Sequence, residues 1–264
     1  MPTRKMSHML SVSTQIAKED DLSVFARMLD SVRSADELII FNMERKDSEA
    51  QKLFGKYQAR VINIKTPKVV EEIRERQIKE SKSDWILVMD YDEVITAGLA
   101  KEIKKVVGSS NQKYGAYYIT RRNYSLGYPL KHGGFGDDVV PRLFNRSEFI
   151  SWPTEIHGMP KIKGEFGYLT NPMEHHKDAS LAQMVAKTNR YTDVEARQFF
   201  EGGVARVTLL TLLRKTIMEF IRRYIIKAGF LDGRIGIIQA LYQSYAIYLR
   251  YAKIYELQNQ KGSK

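Results

Sequence analysis

The chain has no cysteine among its 264 residues. This excludes disulfides, a thiolate nucleophile, Cys-ligated zinc and iron–sulfur clusters, and it fits a reducing compartment. Long apolar runs are missing too. The longest charge-free stretch of the last quarter, 235–249, holds 15 residues with two Gln and one Ser, fewer than the ~20 apolar residues a transmembrane helix needs. The first ten residues are polar and basic and lack the apolar core of a signal peptide. No G-x-x-x-x-G-K-[ST] loop, no G-x-G-x-x-G after the first strand and no G-x-S-x-G elbow occurs, which speaks against P-loop, dinucleotide and nucleophile-elbow chemistry. No H-x-x-x-H pair supports zinc, and there is no internal repeat or low-complexity tract.

What the chain does have is a globular composition, 43% hydrophobic and 28% charged, with enough residues for one large domain or a domain with an appendage. Acidic residues are the minority, 31 against 42 Lys+Arg, for a net charge of +11. The excess is concentrated at the end: residues 201–264 hold 11 Lys/Arg and 4 Asp/Glu, +7 of the total. A basic end of this kind suits nucleic acid, an anionic membrane surface or phosphate-bearing substrates.

Strand-like runs at 9–13, 37–41, 59–64 and 85–89 alternate with helical patterns. Leu22, Phe25, Ala26, Leu29 and Val32 recur at three and four residues, with Asp20 or Asp21 placed to cap that helix. Helices are expected also at 48–57, at 69–81 with Val70, Ile73 and Ile78 inward, and at 97–107 before Gly108. The alternation predicts parallel βαβ units, whose sites lie at the carboxyl ends of the strands. Strands at 114–120, 124–128 and 139–145 then suggest an antiparallel addition. Helices at 181–200, 204–228 and 235–257 complete the chain. The expected division is an α/β domain over 1–180 and a basic helical region over 181–264.

The sharpest local feature is the end of the fourth strand, where Trp85-Ile86-Leu87-Val88-Met89 runs into Asp90-Tyr91-Asp92-Glu93. Carboxylates are costly inside a buried strand, so these belong where the strand emerges. Asp90 and Asp92 are two residues apart, and an extended backbone aims both to one side. Such a pair can hold Mg²⁺ or Mn²⁺, which in turn neutralises a diphosphate. The competing interpretation is an acidic turn before a helix, with Glu93 at the helix N-terminus.

The segment DWILVMDYDE resembles the D-x-D segment of family 2 glycosyltransferases, which have the GT-A fold. SVRSADELIIFNMERKD resembles that family's second strand and nucleoside loop, and EEIRERQIKESKSDWIL the stretch that carries an Arg toward the diphosphate. VVPRLFNRSEFISWPTEIHG, KTNRYTDVEA and YIIKAGFLDGRIGIIQALYQSYAIYLRYAKIYEL are similar to the branch of lipopolysaccharide-core glucosyltransferases. The resemblance covers about residues 8–257. It implies a GT-A (Rossmann-like) mixed sheet flanked by helices, with the basic helical end as an extension.

The resemblance further implies an inverting hexosyl transfer that uses Mg²⁺ or Mn²⁺. Asp90 and Asp92 would bind the metal and the nucleotide diphosphate, with Asp92 the direct ligand, and Glu93 would support their loop. Arg76 would sit near the diphosphate, and Asp47 matches the last Asp of the nucleoside loop. Asn42 stands where the family usually has Asp, and its amide offers one acceptor and one donor end without charge.

An inverting transfer needs a carboxylate base on the acceptor side. Asp138 is the first candidate, Asp137 the second and Glu155 the third; the alternative for the Asp pair is that it only starts a strand. Arg142 is placed to pair with a phosphate or with an acidic loop residue. Among the histidines, His157 and the pair His175–His176 stand out, with His157 and then His176 the candidates for a further metal contact.

The implied partners are a nucleotide-sugar donor and a glycan or lipid-linked acceptor of the cell envelope. The implied location is the cytoplasm, with peripheral contact at the inner face of the cytoplasmic membrane. In 204–228, Leu210, Leu213, Ile217, Phe220, Ile221 and Tyr224 form an apolar stripe with Lys215, Arg222 and Arg223 on other faces. That pattern suits a membrane surface or packing on the catalytic domain or in a homo-oligomer. Nucleic acid is not expected, because no binding module is recognisable. The rival readings are a non-catalytic sugar-nucleotide or glycan-binding relative, suggested by Asn42, and a basic nucleic-acid-binding protein.

Overall fold

The first strand, β1 (Leu10–Ala17), is buried along almost its whole length, as expected of a parallel strand covered on both faces. It belongs to a computed structural model that describes residues 9–110, 113–136, 138–155, 158–178 and 180–260. The chain continues through α1 (Leu22–Ser31), β2 (Glu37–Met43), α2 (Ser48–Lys56), β3 (Arg60–Ile64), α3 (Glu71–Lys79), β4 (Trp85–Val88), β5 (Glu93–Ile95) and α4 (Ala97–Val107). Then come β6 (Ala116–Ser125), β7 (Tyr128–Leu130), β8 (Val139–Asn145), β9 (Phe149–Ser151), β10 (Lys161–Ile162) and β11 (Phe166–Asp178), followed by α5 (Leu181–Glu201), α6 (Leu209–Ile221) and α7 (Gly233–Gln260).

Two units make up the chain: Met1–Arg121 with Val139–His176, and Arg122–Asp138 with Lys177–Lys264. The second therefore joins the helical end to a segment from mid-chain, whereas the sequence reading divides the chain at 180.

In the first unit β1 pairs in parallel with β2 and β4, and β2 with β3. β8 joins β4 antiparallel and β6 joins β8 antiparallel; the sheet order is β3-β2-β1-β4-β8-β6-β11-β5. The expected α/β fold, a mixed sheet flanked by helices, is what is found. Phe25 from α1 and Phe54 from α2 meet edge-on at 6.3 Å, a geometry that contributes about 0.5–1.5 kcal/mol beyond area burial. Trp85, Leu87 and Leu143 join them in one core. Asp21 caps α1 by accepting from the Ser23 and Val24 N–H groups, and Thr96 caps α4.

Three local expectations are corrected. The strands expected at 114–120 and 124–128 are one strand, β6; the turn follows it at Leu126 and Gly127, with φ of 50° and 81°. Glu93 is not at a helix N-terminus but opens β5, opposite His175 of β11. The helix expected over 204–228 begins at Leu209 and ends in a π-helical turn, Arg222–Ile226.

In the second unit α5 and α6 both pack on α7. Ala196, Val207 and Ile254 form one of its core clusters, and Arg250 pairs with Glu195 at 2.6 Å. Ahead of α7, Asp232 accepts from the Lys131 and His132 N–H groups at 3.0 and 2.8 Å. Gly236 is required here: a Cβ would lie 1.9 Å from the Gly229 carbonyl oxygen. No helix of the described residues is long and apolar enough to cross a membrane.

Candidate functional site

The parallel strands β1, β2 and β4 end on one edge of the first unit, and the polar residues that follow them meet there. Asp90 lies just past β4, 19% exposed, and both of its oxygens are engaged. Arg74 of α3 and Gln15 of β1 donate to Oδ1, Gln15 at 2.7 Å, and Arg142 of β8 donates to Oδ2 at 2.6 Å. Gln77 donates to Gln15 at 2.8 Å and accepts from Arg74 at 3.1 Å, which fixes both donors.

Glu93 is fully buried beneath this pair. It accepts from Arg142 at 2.8 and 3.0 Å, from Arg121 at 3.3 Å and from the Asp90 N–H at 2.9 Å. Arg142 thus bridges two acids, a geometry that the forked guanidinium permits. Burial opposes ionisation of Asp90, but Arg74 and then Arg142 outweigh it and hold the carboxyl well below the usual carboxylate range. Three guanidinium groups, from Arg74, Arg121 and Arg142, thus face the carboxylates of Asp90 and Glu93.

Asp92 is 2% exposed. His175 Nε2 lies 3.6 Å from its Oδ1, and the His176 N–H donates to its carbonyl at 2.8 Å. Atoms at this separation can share one cation placed about 2.0–2.2 Å from each. Among the described residues no group of three His, Asp or Glu side chains could hold an ion, so a metal here would take its other ligands from phosphate and water. The carboxylate of Asp92 with phosphate and water is a setting that suits Mg²⁺ or Mn²⁺, whereas the imidazole of His175 suits a transition-metal ion better than Mg²⁺. The sequence reading pairs Asp90 with Asp92 around one ion, but the structure gives Asp90 two arginine partners and brings His175 to Asp92.

At the ends of β2 and β3 an open cavity of about 620 Å³ is lined by Asn42, Arg45, Lys46, Gln51, Asn63 and Lys65, among others. Asn42 is 3% exposed. Its amide donates to the Arg45 carbonyl at 2.9 Å and to Asn63 at 2.8 Å, and it accepts from the Arg45 N–H at 3.1 Å. An aspartate could not make the two donations, so the departure from Asp has a local structural reason. Asp47 caps α2 through the Ala50 N–H at 2.8 Å and pairs with Arg45 at 2.7 Å. The Ala50 N–H, and to a lesser degree Arg45, lower its pKa against a small burial cost.

Arg76 is half-exposed and pairs with Glu80 at 3.3 Å; Arg74, one half-turn earlier, is the arginine that reaches Asp90. His176 pairs with Glu174 at 3.2 Å, and Glu155 is exposed. Asp138 lies in the second unit, where Asn123 donates to it at 2.9 Å. Asp137 and His157 lie outside the described residues.

Arg74, Gln77, Arg121 and Gln15 were not singled out from the sequence, and His175 only as one of the pair with His176. A signal existed for two of them. Val70, Ile73 and Ile78 define the inward face of α3, and Arg74 and Gln77 fall on that face at helical spacing.

No protein-family model matches this chain. It is similar over nearly its full length to curated glycosyltransferases. An uncharacterized glycosyltransferase of Rickettsia typhi is 26% identical, with 94% of this chain and 88% of the relative covered. One of Rickettsia bellii is 26% identical over 97% and 90%. Among solved structures, the mannosyltransferase PcManGT of Pyrobaculum calidifontis, in complex with GDP-Man and Mn²⁺, aligns over 100% of this chain and 90% of its own at 12% identity and a TM-score of 0.47. S. aureus TarS 1–349 in complex with UDP-GlcNAc aligns over 96% and 92% at 12% identity and a TM-score of 0.47.

Proposed function

We infer that this chain is an inverting, metal-dependent glycosyltransferase of the GT-A kind that moves a sugar from a nucleotide donor to a glycan or lipid-linked acceptor of the cell envelope. The observation that carries this reading is the strand-end cluster. Buried Asp92 faces His175 next to an Asp90–Glu93 pair held by Arg74, Arg121 and Arg142. The cavity beside Asn42 opens on the same strand edge and takes the nucleoside in this account. The similarity to glycosyltransferases over 94% of the chain supports the glycosyl-transfer part of this reading.

Asp92 and His175 would hold Mg²⁺ or Mn²⁺. When bound, the ion supplies positive charge at the leaving diphosphate. Arg74 and Arg142 contribute fixed positive charge at the same edge, and Asp90 and Glu93 hold them in position before the donor arrives. Such preorganisation stabilises charge that develops only as the reaction proceeds.

In the transfer itself the acceptor oxygen forms a bond to the anomeric carbon as the bond to the diphosphate oxygen breaks. The electron pair leaves with the nucleoside diphosphate. The acceptor proton passes to a carboxylate base on the acceptor side.

A thermal-shift screen of nucleotide sugars, each with and without Mn²⁺, tests the donor assignment. The matching donor at a hundred times its Kd raises stability by about 2.7 kcal/mol, and only when Mn²⁺ is present. Asp92→Asn and His175→Ala should each remove the Mn²⁺-dependent part. If no nucleotide sugar shifts the transition, or the shift survives both substitutions, the assignment fails. Binding without donor turnover, by contrast, would identify a non-catalytic relative.

A further inference from the structure

The packing of the second unit leaves one face of it uncovered. α6 is strongly apolar, yet none of its residues is buried. Leu209 and Leu210 are 72% and 74% exposed, and Leu213, Ile217 and Met218 are about half exposed. Leu210, Leu213 and Ile217 follow i, i+3, i+7 spacing, so they form one stripe along the helix. The segment after α6 adds exposed Ile225, Ile226, Phe230 and Leu231. α7 repeats the pattern with exposed Ile238, Leu241, Tyr245 and Tyr248, again at helical spacing.

Charge accompanies this surface. Residues 204–234 contain 7 Lys/Arg and 2 Asp/Glu. Arg214, Lys215, Arg222, Lys227 and Arg234 are exposed among the apolar side chains. Where α6 meets α7, a cleft of about 350 Å³ places Met218, Ile226 and Ile247 beside Lys215, Arg222, Arg250 and Glu219. Glu219 accepts from Arg222 at 2.7 and 2.9 Å, and Arg250 pairs with Glu195, so Arg214, Lys215, Lys227 and Arg234 carry the charge offered here. Apolar surface on this scale, left in water, marks an interaction site. A second copy of the chain would present the same positive charges, and like charges at an interface cost several kcal/mol.

We propose that this face docks on an anionic lipid bilayer. The Leu210–Leu213–Ile217 stripe enters the boundary between headgroups and acyl chains, and the flanking cations meet lipid phosphates. A helix of this composition lies in the interface plane and does not span it.

Co-sedimentation of the full chain with vesicles tests the proposal. One set contains phosphatidylcholine alone, and the other equal parts phosphatidylcholine and phosphatidylglycerol. The chain should pellet with the anionic set, and high salt should release part of it. The triple variant Leu210→Gln, Leu213→Gln, Ile217→Gln should weaken partitioning on the order of a hundredfold. Arg214→Gln with Lys215→Gln should weaken it about thirtyfold, or about fivefold per cation, and flatten the salt dependence.

All these side chains are exposed, so the variants should keep the parent's circular dichroism and melting temperature, and both are checked first. Absence of the chain from anionic pellets overturns the proposal. So does equal binding by the folded triple variant. A dimer in sedimentation velocity that the triple substitution abolishes, with no vesicle binding by the parent, would instead assign the face to a second copy.

Discussion

Arg142 holds two acids at once, and the consequences of losing it follow from burial. Glu93 is fully buried and Asp90 largely so. Removing one partner of a buried ion cluster leaves charge uncompensated, which costs about 3–5 kcal/mol. Arg142→Leu should lower the unfolding free energy by that amount, read as a lower urea midpoint at unchanged slope. Arg142→Lys should recover little of it, because a single ammonium cannot reproduce the forked contacts to Asp90 and Glu93.

Asp90 makes the cluster sensitive to acid. Arg74 and Arg142 hold its folded-state pKa well below the unfolded value, which is about 3.9. Its ionic contribution is therefore complete above about pH 4 and lost as pH falls through the folded-state value. Asp90→Asn should be less stable than the parent at neutral pH, and the gap should narrow on acidification below about pH 4. Urea midpoints of both proteins across that range provide the check; a constant gap would show that Asp90 does not titrate differently on folding.

Elements were legible where local patterns and tertiary packing agree. The helix expected over 97–107 is α4, bounded by the Thr96 cap and Gly108, and the strand expected over 139–145 is β8. Asp47 illustrates a residue whose element role and proposed donor role overlap. Asp47→Ala removes the α2 cap and the Arg45 pair and should cost about 1 kcal/mol, read as a lower melting temperature. If donor affinity stays unchanged in that variant, Asp47 serves the helix alone. Asn42→Asp should destabilise by about 1–3 kcal/mol, since the Arg45 carbonyl and Asn63 would each lose their donor; denaturant titration measures it.

Other elements were not legible. β5 has only three residues and exists because β11 pairs with it. β11 runs 13 residues through FGYLTNPMEHHKD, where apolar and polar residues do not alternate and the sequence contains a proline, which has no N–H to donate and argues against a strand. Strands of this kind are specified by their neighbours and carry little periodic signal of their own.

For the whole molecule, the proposed donor site and the proposed membrane face lie in different units, the first in Met1–Arg121 with Val139–His176 and the second in Arg122–Asp138 with Lys177–Lys264. Their activities should therefore separate. The triple variant at Leu210, Leu213 and Ile217 should lose vesicle binding and keep the full Mn²⁺-dependent thermal shift with donor. A shift reduced in parallel with vesicle binding would contradict that independence.

The sequence by itself determined the alternating α/β order, the abrupt arrival of acids after a buried strand and the basic, apolar end of the chain. These depend on periodicity, on the cost of burying charge and on composition, and all three are local. Only the tertiary structure decided that Asp90 belongs with Arg74 and Arg142, and that Asp92 faces His175 from a strand 80-odd residues later in the chain. Helical spacing already turns Arg74 inward, but which distant residue it meets is chosen by sheet register and packing, which no local pattern encodes.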